Sequence, residues 1–411
     1  MNSKARVLLL GFTIPDELAE QLFELDPLPA VQTHKFARSL ARALKLGFGT
    51  LALASTCPVQ SYPLVSKVFF GGRKFRVEGC EGIYLGFVNI IAIKHFTRFA
   101  SCLIRILPLI WRRRNSWIFV HGVHSPFLLF GNIARIFGCK FAVVLTDPPG
   151  VILGTDGLVA RYLKHLDAWL LRRLLQGVDA VLALAPDLAN ALAPGKPSLV
   201  FPGIFNSDLH KSNAFPQNEE VRLSDADSRP FTILYAGGLS AAYGVDRLID
   251  AVEGIHDHSF EIRFFGRGDQ EERIRKLACR DPRFFYGGFV GGERLMPEFA
   301  GADLLVNPRP STEDFSRLSF PSKLIEYLAT GRPVLTTRIK SIPQELNSCF
   351  FFIEDESPEG IRSAIFHLMR TTVSERERIS LCGKKIVERE LSEGAIGKKI
   401  FDLVQRIDSS F

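Results

Sequence analysis

The sequence predicts an α/β protein with two doubly wound domains, and three observations lead to this prediction. The chain has 411 residues, which exceeds one ordinary core and suggests two domains of about 200 residues each. Short apolar runs alternate with longer helical patterns along the whole chain. These runs are continuously apolar, as strands are when helices cover both faces of their sheet. A mainly parallel sheet is therefore expected in each half.

The elements follow the same rhythm in both halves of the chain. Strands are predicted at 6–12, 50–55, 82–88, 117–122, 140–146, 180–185, 198–203, 232–237, 261–266, 283–289, 302–307, 333–337 and 350–353. Helices are predicted at 35–46, 90–112, 127–137, 156–175, 186–192, 245–254, 270–278, 293–299, 321–329 and 361–369.

A polar stretch without periodicity, residues 206–229, separates the two halves and is predicted to be a linker. The domains are therefore placed at 1–205 and 230–411. The tail from Ser374 has a helical pattern, and an alternative is that it crosses back to the first domain.

Composition narrows the classes of partner. Hydrophobic residues make up 46% and charged residues 23% of a chain with net charge +7, which is typical of a folded protein with an anionic partner. No RNA-binding signature, finger spacing or basic zipper is present, so no nucleic-acid partner is predicted. Seven scattered cysteines without a CxxC pair predict neither a disulfide framework nor a zinc site, and a reducing cytoplasm is expected. No secretory signal pattern and no spanning apolar run is recognised.

The stretch SFPSKLIEYLATGRPVLTT is the most informative motif. It predicts a short helix that begins near Pro321 and ends before Gly331. Ser322, Lys323 and Glu326 are three and four residues apart and share one side of that helix. A helix N-terminus with a serine and a lysine suits a diphosphate, and a carboxylate one turn later suits sugar or ribose hydroxyls. The alternative is a surface helix with a Lys–Glu ion pair.

A second motif, YAGGLSAAYGVDRLIDAV, places Gly237 and Gly238 at the end of a strand and a helix after Gly244. Glycine there allows backbone N–H groups to approach a phosphate. A plain strand–turn–helix joint explains the pattern equally well. The following FFGRG turn has a lone GxG and is a weak dinucleotide fingerprint.

In chain order, YAGGLSAAYGVDRLIDA, FFGRGDQEERI, FFYGGFVGGERLMPEFAGADLLVNPRP and FPSKLIEYLATGRPVL resemble the C-terminal half of the retaining glycosyltransferases of family 4, of the bacterial polysaccharide and glycolipid type. FVHGVHSPF and VVLTDPPG extend the resemblance more loosely into the first half. The resemblance implies the GT-B fold, in which two Rossmann-like domains face each other across a cleft.

The same resemblance implies an activity. A sugar would pass with retention from a nucleotide diphosphate-sugar to a saccharide or lipid-linked acceptor, in surface polysaccharide or glycolipid synthesis. Family 4 transfer resembles a front-face displacement, so neither a metal nor another cofactor is expected, and the chain has no DxD motif. The expected location is the cytoplasm, at the inner face of the cell membrane.

The resemblance also assigns residues. Glu326 falls on the glutamate that holds the donor ribose, and Ser322 and Lys323 fall where related members contact the diphosphate. Gly237 and Gly238 fall on the loop that faces the donor phosphates. Together they are the predicted donor-binding residues.

His124, in the strand-end segment FVHGVHSP, resembles the family's first-domain histidine near the transferred sugar and is the predicted catalytic residue. A hydrogen-bonded structural histidine is the alternative. Phe289 and Val290 fall near where the family holds the nucleobase.

Three positions depart from the family. Gly238 and Tyr243 stand where many members carry an arginine and a lysine, and Leu318 stands where the family has its first glutamate. Lys323, Arg309 and Arg317 are candidates for the missing positive charge at the donor phosphates. These departures leave two alternatives open: a catalytically silent GT-B-like binding or scaffold subunit, and a nucleotide-sugar epimerase that needs no acceptor.

Residues 90–114, IIAIKHFTRFASCLIRILPLIWRRR, predict a basic amphipathic helix. Lys94, Arg98, Arg105 and Arg112 share one stripe, and apolar side chains occupy most of the remaining surface. One interpretation is that the apolar side packs on the sheet while the basic rim touches anionic lipid head groups. The alternative is an ordinary domain helix with a solvated basic side.

Overall fold

The chain divides into two compact units. The computed structural model describes residues 7–27, 29–91, 93–111, 115–148, 158–206, 229–255 and 259–409. The first unit extends to Ile204 and includes the last helix from Glu393, and the second unit runs from Phe205 to Ser392. Most of the predicted linker, residues 207–228, lies outside the described residues.

The first unit is built on an eight-stranded sheet. The strands of the unit, two of which lie outside this sheet, are β1 (Val7–Gly11), β2 (Ala52–Ser55), β3 (Phe69–Phe70), β4 (Lys74–Val77), β5 (Cys80–Tyr84), β6 (Phe87–Val88), β7 (Trp117–His121), β8 (Lys140–Leu145), β9 (Ala180–Ala183) and β10 (Ser198–Val200). The sheet order is β10-β9-β8-β7-β1-β2-β5-β4, and every pair is parallel except β4 with β5. β3 and β6 form a separate antiparallel pair.

All seven strands predicted in this half are present, with one correction. The predicted strand 82–88 is two strands, because the chain leaves the main sheet after Tyr84 and pairs with β3 through Phe87 and Val88. At the bend, a Cβ on Gly86 would stand 2.9 Å from the carbonyl oxygen of Phe70, so a glycine fits there best.

The helices of the first unit cover its sheet. They are α1 (Asp16–Leu25), α2 (Val31–Phe48), α3 (Ile93–Arg105), α4 (Leu107–Trp111), α5 (Ser125–Ile136), α6 (Leu158–Leu175), α7 (Pro186–Leu192) and, from the end of the chain, α15 (Glu393–Ser409). The predicted helix 90–112 is divided into α3 and α4. Pro108 has no N–H to continue the hydrogen-bond ladder, which explains the interruption.

The second unit has a six-stranded, fully parallel sheet. Its strands are β11 (Phe231–Gly238), β12 (Phe260–Arg267), β13 (Phe284–Gly288), β14 (Leu304–Asn307), β15 (Val334–Thr337) and β16 (Phe351–Ile353). The order β13-β12-β11-β14-β15-β16 is that of the dinucleotide-binding Rossmann sheet. All six strands are at their predicted places.

Helices of the second unit follow the strands. They are α8 (Val245–Glu253), α9 (Glu271–Ala278), α10 (Gly292–Gly301), α11 (Asp314–Leu318), α12 (Lys323–Ala329), α13 (Pro358–Arg370) and α14 (Val373–Glu390). α12 begins at Lys323, two residues later than predicted, after a tight turn in which Leu324 N donates to Pro321 O. Gly331 has the expected left-handed φ of 71°.

The last helix, α15, packs on α2 of the first unit. The predicted second domain, 230–411, therefore includes a helix that belongs to the first unit. The contact depends on glycine: a Cβ on Gly397 would stand 2.2 Å from Ala43 O, and one on Gly47 would stand 2.3 Å from Gly397 O. Arg42 and Glu393 form an ion pair at 3.3 Å beside it. Within the described residues, no helix is both long and apolar enough to cross a membrane.

Candidate functional site

The predicted donor glycines lie at the topological switch point of the second sheet. β11 lies between β12 and β14. The chain runs outward from β11 through β12 to β13, then returns to β14 on the other side of β11 and runs outward to β16. Ligands of open α/β sheets bind beyond the carboxyl ends of strands at such a point. β11 ends at Gly237 and Gly238, and β14 ends at Asn307, two residues before Arg309. Sheet order therefore supports this edge as the binding site independently of any motif.

Tyr327 connects the two predicted motifs. Its buried hydroxyl accepts a hydrogen bond from Ala236 N at 2.8 Å and donates one to Ala236 O at 3.2 Å. Its ring packs edge-on against Phe299 with centroids 5.1 Å apart. These bonds hold α12 beside the end of β11, next to Gly237. Tyr327 was not predicted as a site residue, although a tyrosine on the apolar side of a helix signals a buried hydroxyl that needs a partner.

On the opposite side of α12, Lys323 Nζ donates to Glu326 Oε2 at 2.6 Å. Both side chains are partly exposed, and Ser322 is exposed at the helix start. Lys323 and Glu326 thus share one side of α12, and their ion pair is also what the alternative of a surface helix predicts. An ammonium group carries three N–H donors, and the bond to Glu326 uses one of them.

The Gly237–Gly238 loop is closed by two tyrosines. Tyr235 donates a hydrogen bond from its hydroxyl to Gly238 O at 2.8 Å. A Cβ added to Gly238 would stand 2.7 Å from Cε2 of Tyr243. The Tyr243 ring therefore occupies the space where a side chain at position 238 would begin, so these two departures from the family are structurally coupled.

Arg309 is a buried cation in the loop after β14. Its Nε donates to Ser316 Oγ at 3.1 Å and its Nη2 to Phe315 O at 3.2 Å. Its guanidinium lies 4.4 Å from the Phe315 ring centroid and 5.7 Å from that of Tyr243. A positive charge thus stands beside Tyr243, the position where the family carries a lysine. Arg317 is instead exposed on α11.

Phe289 follows β13 and is exposed. The guanidinium of Arg267 lies 5.1 Å from its ring centroid, and Arg267 is opposite Gly238 in the β11–β12 register. An exposed aromatic ring at this edge has the shape and polarity to stack on a flat base.

In the first unit, His124 also follows a strand at the switch point of its sheet. β1 is adjacent to β7 and β2, and it ends at Gly11, one residue before Phe12 and beside the end of β7. The ring centroids of Phe12 and His124 are 4.7 Å apart, and His124 immediately precedes α5. Burial, together with the nearby charges of Arg98 and His121, lowers the pKa of His124 to about 3. Its imidazole is therefore neutral near pH 7.

His121 is buried between aromatic rings. Its ring centroid is 5.3 Å from that of Phe36 and 6.1 Å from that of Phe12. Burial lowers its pKa to about 4, and among the described residues its Nδ1 has no hydrogen-bond partner. No site role was predicted for His121, and its apolar surroundings indicate a structural role.

The basic side of α3 faces inward. Lys94 and Arg98 are buried: Lys94 Nζ donates to Val59 O at 2.5 Å, and Arg98 Nη2 donates to Cys57 O at 2.8 Å. Burial, and the neighbouring Arg98, lower the pKa of Lys94 to about 7. The predicted outward basic rim is therefore wrong for these two residues. Carbonyl groups beyond the end of β2 need donors, and the two cations supply them.

The other two residues of the predicted stripe do not contradict the prediction. Arg105 is exposed, whereas Arg112 and the two arginines after it lie outside the described residues.

Among 7–27, 29–91, 93–111, 115–148, 158–206, 229–255 and 259–409, no group of three or more His, Cys, Asp or Glu side chains is suited to a metal. Metal independence stays a prediction.

Comparison with known proteins agrees with this geometry. Residues 230–371, which contain every candidate donor residue, match the family model described as glycosyl transferases group 1. The chain is 25% identical over 203 residues to the amylovoran biosynthesis glycosyltransferase AmsK of Erwinia amylovora, an alignment that covers 47% of this chain and 49% of that protein. The alignment thus spans about half the length of that relative.

Solved structures resemble nearly the whole chain. Sucrose-phosphate synthase from Thermosynechococcus elongatus has a TM-score of 0.66 at 14% identity, and the match covers 98% of this chain and 100% of that one. HepE of Anabaena in complex with UDP has a TM-score of 0.63 at 13% identity, covering 97% and 99%. Trehalose-6-phosphate synthase from E. coli, bound with UDP-2-fluoro glucose, has a TM-score of 0.62 at 12% identity, covering 97% and 99%.

At these identities the likeness establishes the fold. The protein has the GT-B fold, with two Rossmann-like units. Its second half contains a group 1 glycosyltransferase domain.

Proposed function

We propose that the protein is a retaining glycosyltransferase of the family 4 type. It would move a sugar from a nucleotide diphosphate-sugar to a saccharide or lipid-linked acceptor in surface polysaccharide or glycolipid synthesis, on the cytoplasmic side of the membrane. The observation that carries the proposal is the arrangement at the end of β11. There Tyr327 holds the Lys323–Glu326 helix beside Gly237 and Gly238, at the sheet edge where nucleotides bind.

The donor residues have a clear division of work under this proposal. Glu326 accepts hydrogen bonds from the ribose hydroxyls, because a carboxylate offers acceptors only. Lys323 contributes charge to the diphosphate, and backbone N–H groups of Gly237 and Gly238 approach its oxygens. Phe289 supports the base. Positioning and charge stabilisation at the leaving diphosphate are what this reaction needs from the protein.

Positive charge at the diphosphate comes from an unusual source in this proposal. Arg309 stands beside Tyr243, where the family carries a lysine, and is held by Ser316 and Phe315. A charge fixed in a buried loop acts at short range in a low dielectric. We expect Arg309 to contribute more to donor binding than the exposed Arg317.

His124 acts as a hydrogen-bonding group rather than as an acid. With its pKa lowered to about 3, the imidazole stays neutral at physiological pH. A neutral imidazole can donate or accept one hydrogen bond at a sugar hydroxyl, and it supplies little general-acid catalysis. His124→Ala is expected to lower kcat/KM about tenfold, the worth of one hydrogen bond. For the wild-type protein, the pH profile of kcat/KM is expected to show no change near pH 6.5, because His124 does not gain or lose a proton there.

A catalytically silent GT-B-like subunit is the second candidate. It is favoured by Gly238 and Tyr243, which stand where many members of the family carry an arginine and a lysine at the donor site. The epimerase alternative keeps the donor site and needs no acceptor. Turnover of a nucleotide-sugar by the purified chain excludes the silent subunit. Release of a free, altered sugar without an acceptor supports the epimerase over the transferase.

The testing experiment is thermal unfolding with a panel of nucleoside diphosphates. A ligand that binds only the folded state raises Tm, by mass action. One nucleotide is expected to raise Tm for the wild type and fail to do so for Glu326→Ala. Glu377→Ala, an exposed glutamate on α14, is the matched control and keeps the shift. If every nucleotide leaves Tm unchanged, the donor-site proposal is wrong.

A further inference from the structure

In helix α3 the basic side chains face the core and large apolar side chains face solvent, which is the reverse of an ordinary amphipathic helix in a soluble protein. Lys94 and Arg98 point into the unit, whereas Ile93, Phe96 and Ile104 are exposed. Phe96 and Ile104 expose 70% and 74% of their surface. Positions 93, 96 and 104 lie within one side of a helix with 3.6 residues per turn. Water therefore meets a row of large apolar side chains where charged ones are the norm.

The apolar side continues beyond α3. Ile91 precedes the helix and is 74% exposed, and Trp111 at the end of α4 is 68% exposed. Trp111 lies against Phe137 with ring centroids 6.1 Å apart, next to the exposed Ile136. We call Ile91, Ile93, Phe96, Ile104, Trp111 and Ile136 the α3–α5 apolar face. Contiguous exposed apolar surface of this kind marks an interaction site.

The chain segment that forms this face carries an excess of positive charge. Between Glu81 and Asp147 the sequence contains no acidic residue, and this stretch includes eight basic ones: Lys94, Arg98, Arg105, Arg112, Arg113, Arg114, Arg135 and Lys140. Three of the arginines follow Trp111 directly. Lys94 and Arg98 are buried, and Arg135 and Lys140 form ion pairs with Asp179 and Asp408. An anionic surface is electrostatically complementary to the exposed Arg105 and to the run of three arginines that the sequence places after Trp111. Each basic residue near anionic lipid contributes about 1 kcal/mol of attraction.

From these two observations we propose that the α3–α5 apolar face inserts into the head-group region of an anionic bilayer. Isoleucine and phenylalanine supply buried apolar area, while tryptophan and arginine suit the boundary between acyl chains and water. α3 then lies in the plane of the membrane. Its buried cations, Lys94 and Arg98, bind the unit's own carbonyls and take no part in lipid binding. The inference goes beyond the transfer reaction and does not depend on it.

A vesicle sedimentation experiment tests the surface. The full chain is expected to sediment with vesicles of phosphatidylglycerol and phosphatidylcholine, and far less with phosphatidylcholine alone. Phe96→Ser with Ile104→Ser is expected to weaken binding about tenfold for each side chain removed. Leu46→Ser is the matched control, because Leu46 is 63% exposed on α2, away from this face. That variant is expected to bind as the wild type does.

Tryptophan fluorescence provides a second readout. In a Trp169→Phe background, Trp111 is the exposed tryptophan and Trp117 is buried. Its emission is expected to shift to the blue when anionic vesicles are added. The inference is overturned if the emission does not change, if the wild type does not sediment with anionic vesicles, or if the double variant sediments as much as the wild type. So does a concentration-dependent dimer that the double variant abolishes, since a second copy would then cover the face. A retained nucleotide shift in Tm separates this failure from failure of the donor site.

Discussion

The ring of Tyr243 lies directly against Gly238, where a Cβ would meet its Cε2 at 2.7 Å. Tyr243 is itself held between the Phe315 ring, 5.7 Å away, and the Arg309 guanidinium. An arginine at position 238 and a tyrosine at position 243 would therefore compete for the same space. The residues at positions 238 and 243 are therefore structurally coupled, and under the proposed function Arg309 provides the charge beside them.

This relationship predicts a compensating pair of substitutions. Gly238→Arg alone is expected to lower the free energy of unfolding by about 1 kcal/mol or more, because the added side chain displaces the Tyr243 ring. Adding Tyr243→Lys removes the obstruction and is expected to recover at least half of the loss. Urea unfolding of the two single variants and the double variant measures the coupling. Additive effects would show that the two positions are independent.

Lys323→Met separates donor binding from stability. The Lys323–Glu326 pair is a partly exposed i,i+3 ion pair, which contributes about 0.5 kcal/mol to folding. The unliganded Tm is therefore expected to change little, while the nucleotide-dependent rise in Tm is lost or strongly reduced.

Lys276→Met is the control for Lys323→Met. It removes a more exposed Lys–Glu pair, with Glu272 on helix α9, and is expected to leave the nucleotide effect intact. An equal loss of nucleotide effect in both variants, or a large fall in unliganded stability of Lys323→Met, would contradict a donor role for Lys323.

Much of the fold was predictable because its strands are buried on both faces. Continuous apolar runs mark all the central strands, and glycine or proline marks many of their ends. The strands that were missed, β3 and β4, are short and partly exposed at the edge of the first unit, so they lack an apolar run. Helix α1 was missed as well, since only Ala19 and Leu22 are buried along its length.

The site was predictable to the level of a helix side and no further. Periodicity placed Ser322, Lys323 and Glu326 together on α12, and the structure agrees. Periodicity also placed Lys94 and Arg98 together, but it cannot tell which side of a helix faces the core. Which side of α3 faces the core depended on the carbonyl groups of Cys57 and Val59, which are distant from α3 in the sequence.

Burial of His121 predicts acid sensitivity of the first unit. Its pKa falls from 6.5 in the unfolded chain to about 4 in the folded one. Between these values the unfolded chain binds the proton and the folded one does not, so stability is complete above pH 6.5 and falls towards pH 4. The loss is about 3 kcal/mol for this group.

His121→Leu removes the group while keeping an apolar side chain between Phe12 and Phe36. The variant is expected to lose less stability between pH 6.5 and 4 than the wild type, measured by urea unfolding across that range. His124 titrates in the same direction and keeps part of the slope. An unchanged slope in His121→Leu would mean that His121 is already charged in the folded protein.

The contact of α15 with α2 predicts a sharp difference between two glycines of the same helix. A Cβ on Gly397 would stand 2.2 Å from Ala43 O, whereas a Cβ on Gly394 meets nothing within 4 Å. Gly397→Ala is therefore expected to separate the helices and lower the free energy of unfolding by about 1–3 kcal/mol. Gly394→Ala is expected to be neutral or to stabilise by up to about 1 kcal/mol, since alanine is the better helix former. Denaturant unfolding compares the two, and equal effects would show that the last helix does not depend on this close approach.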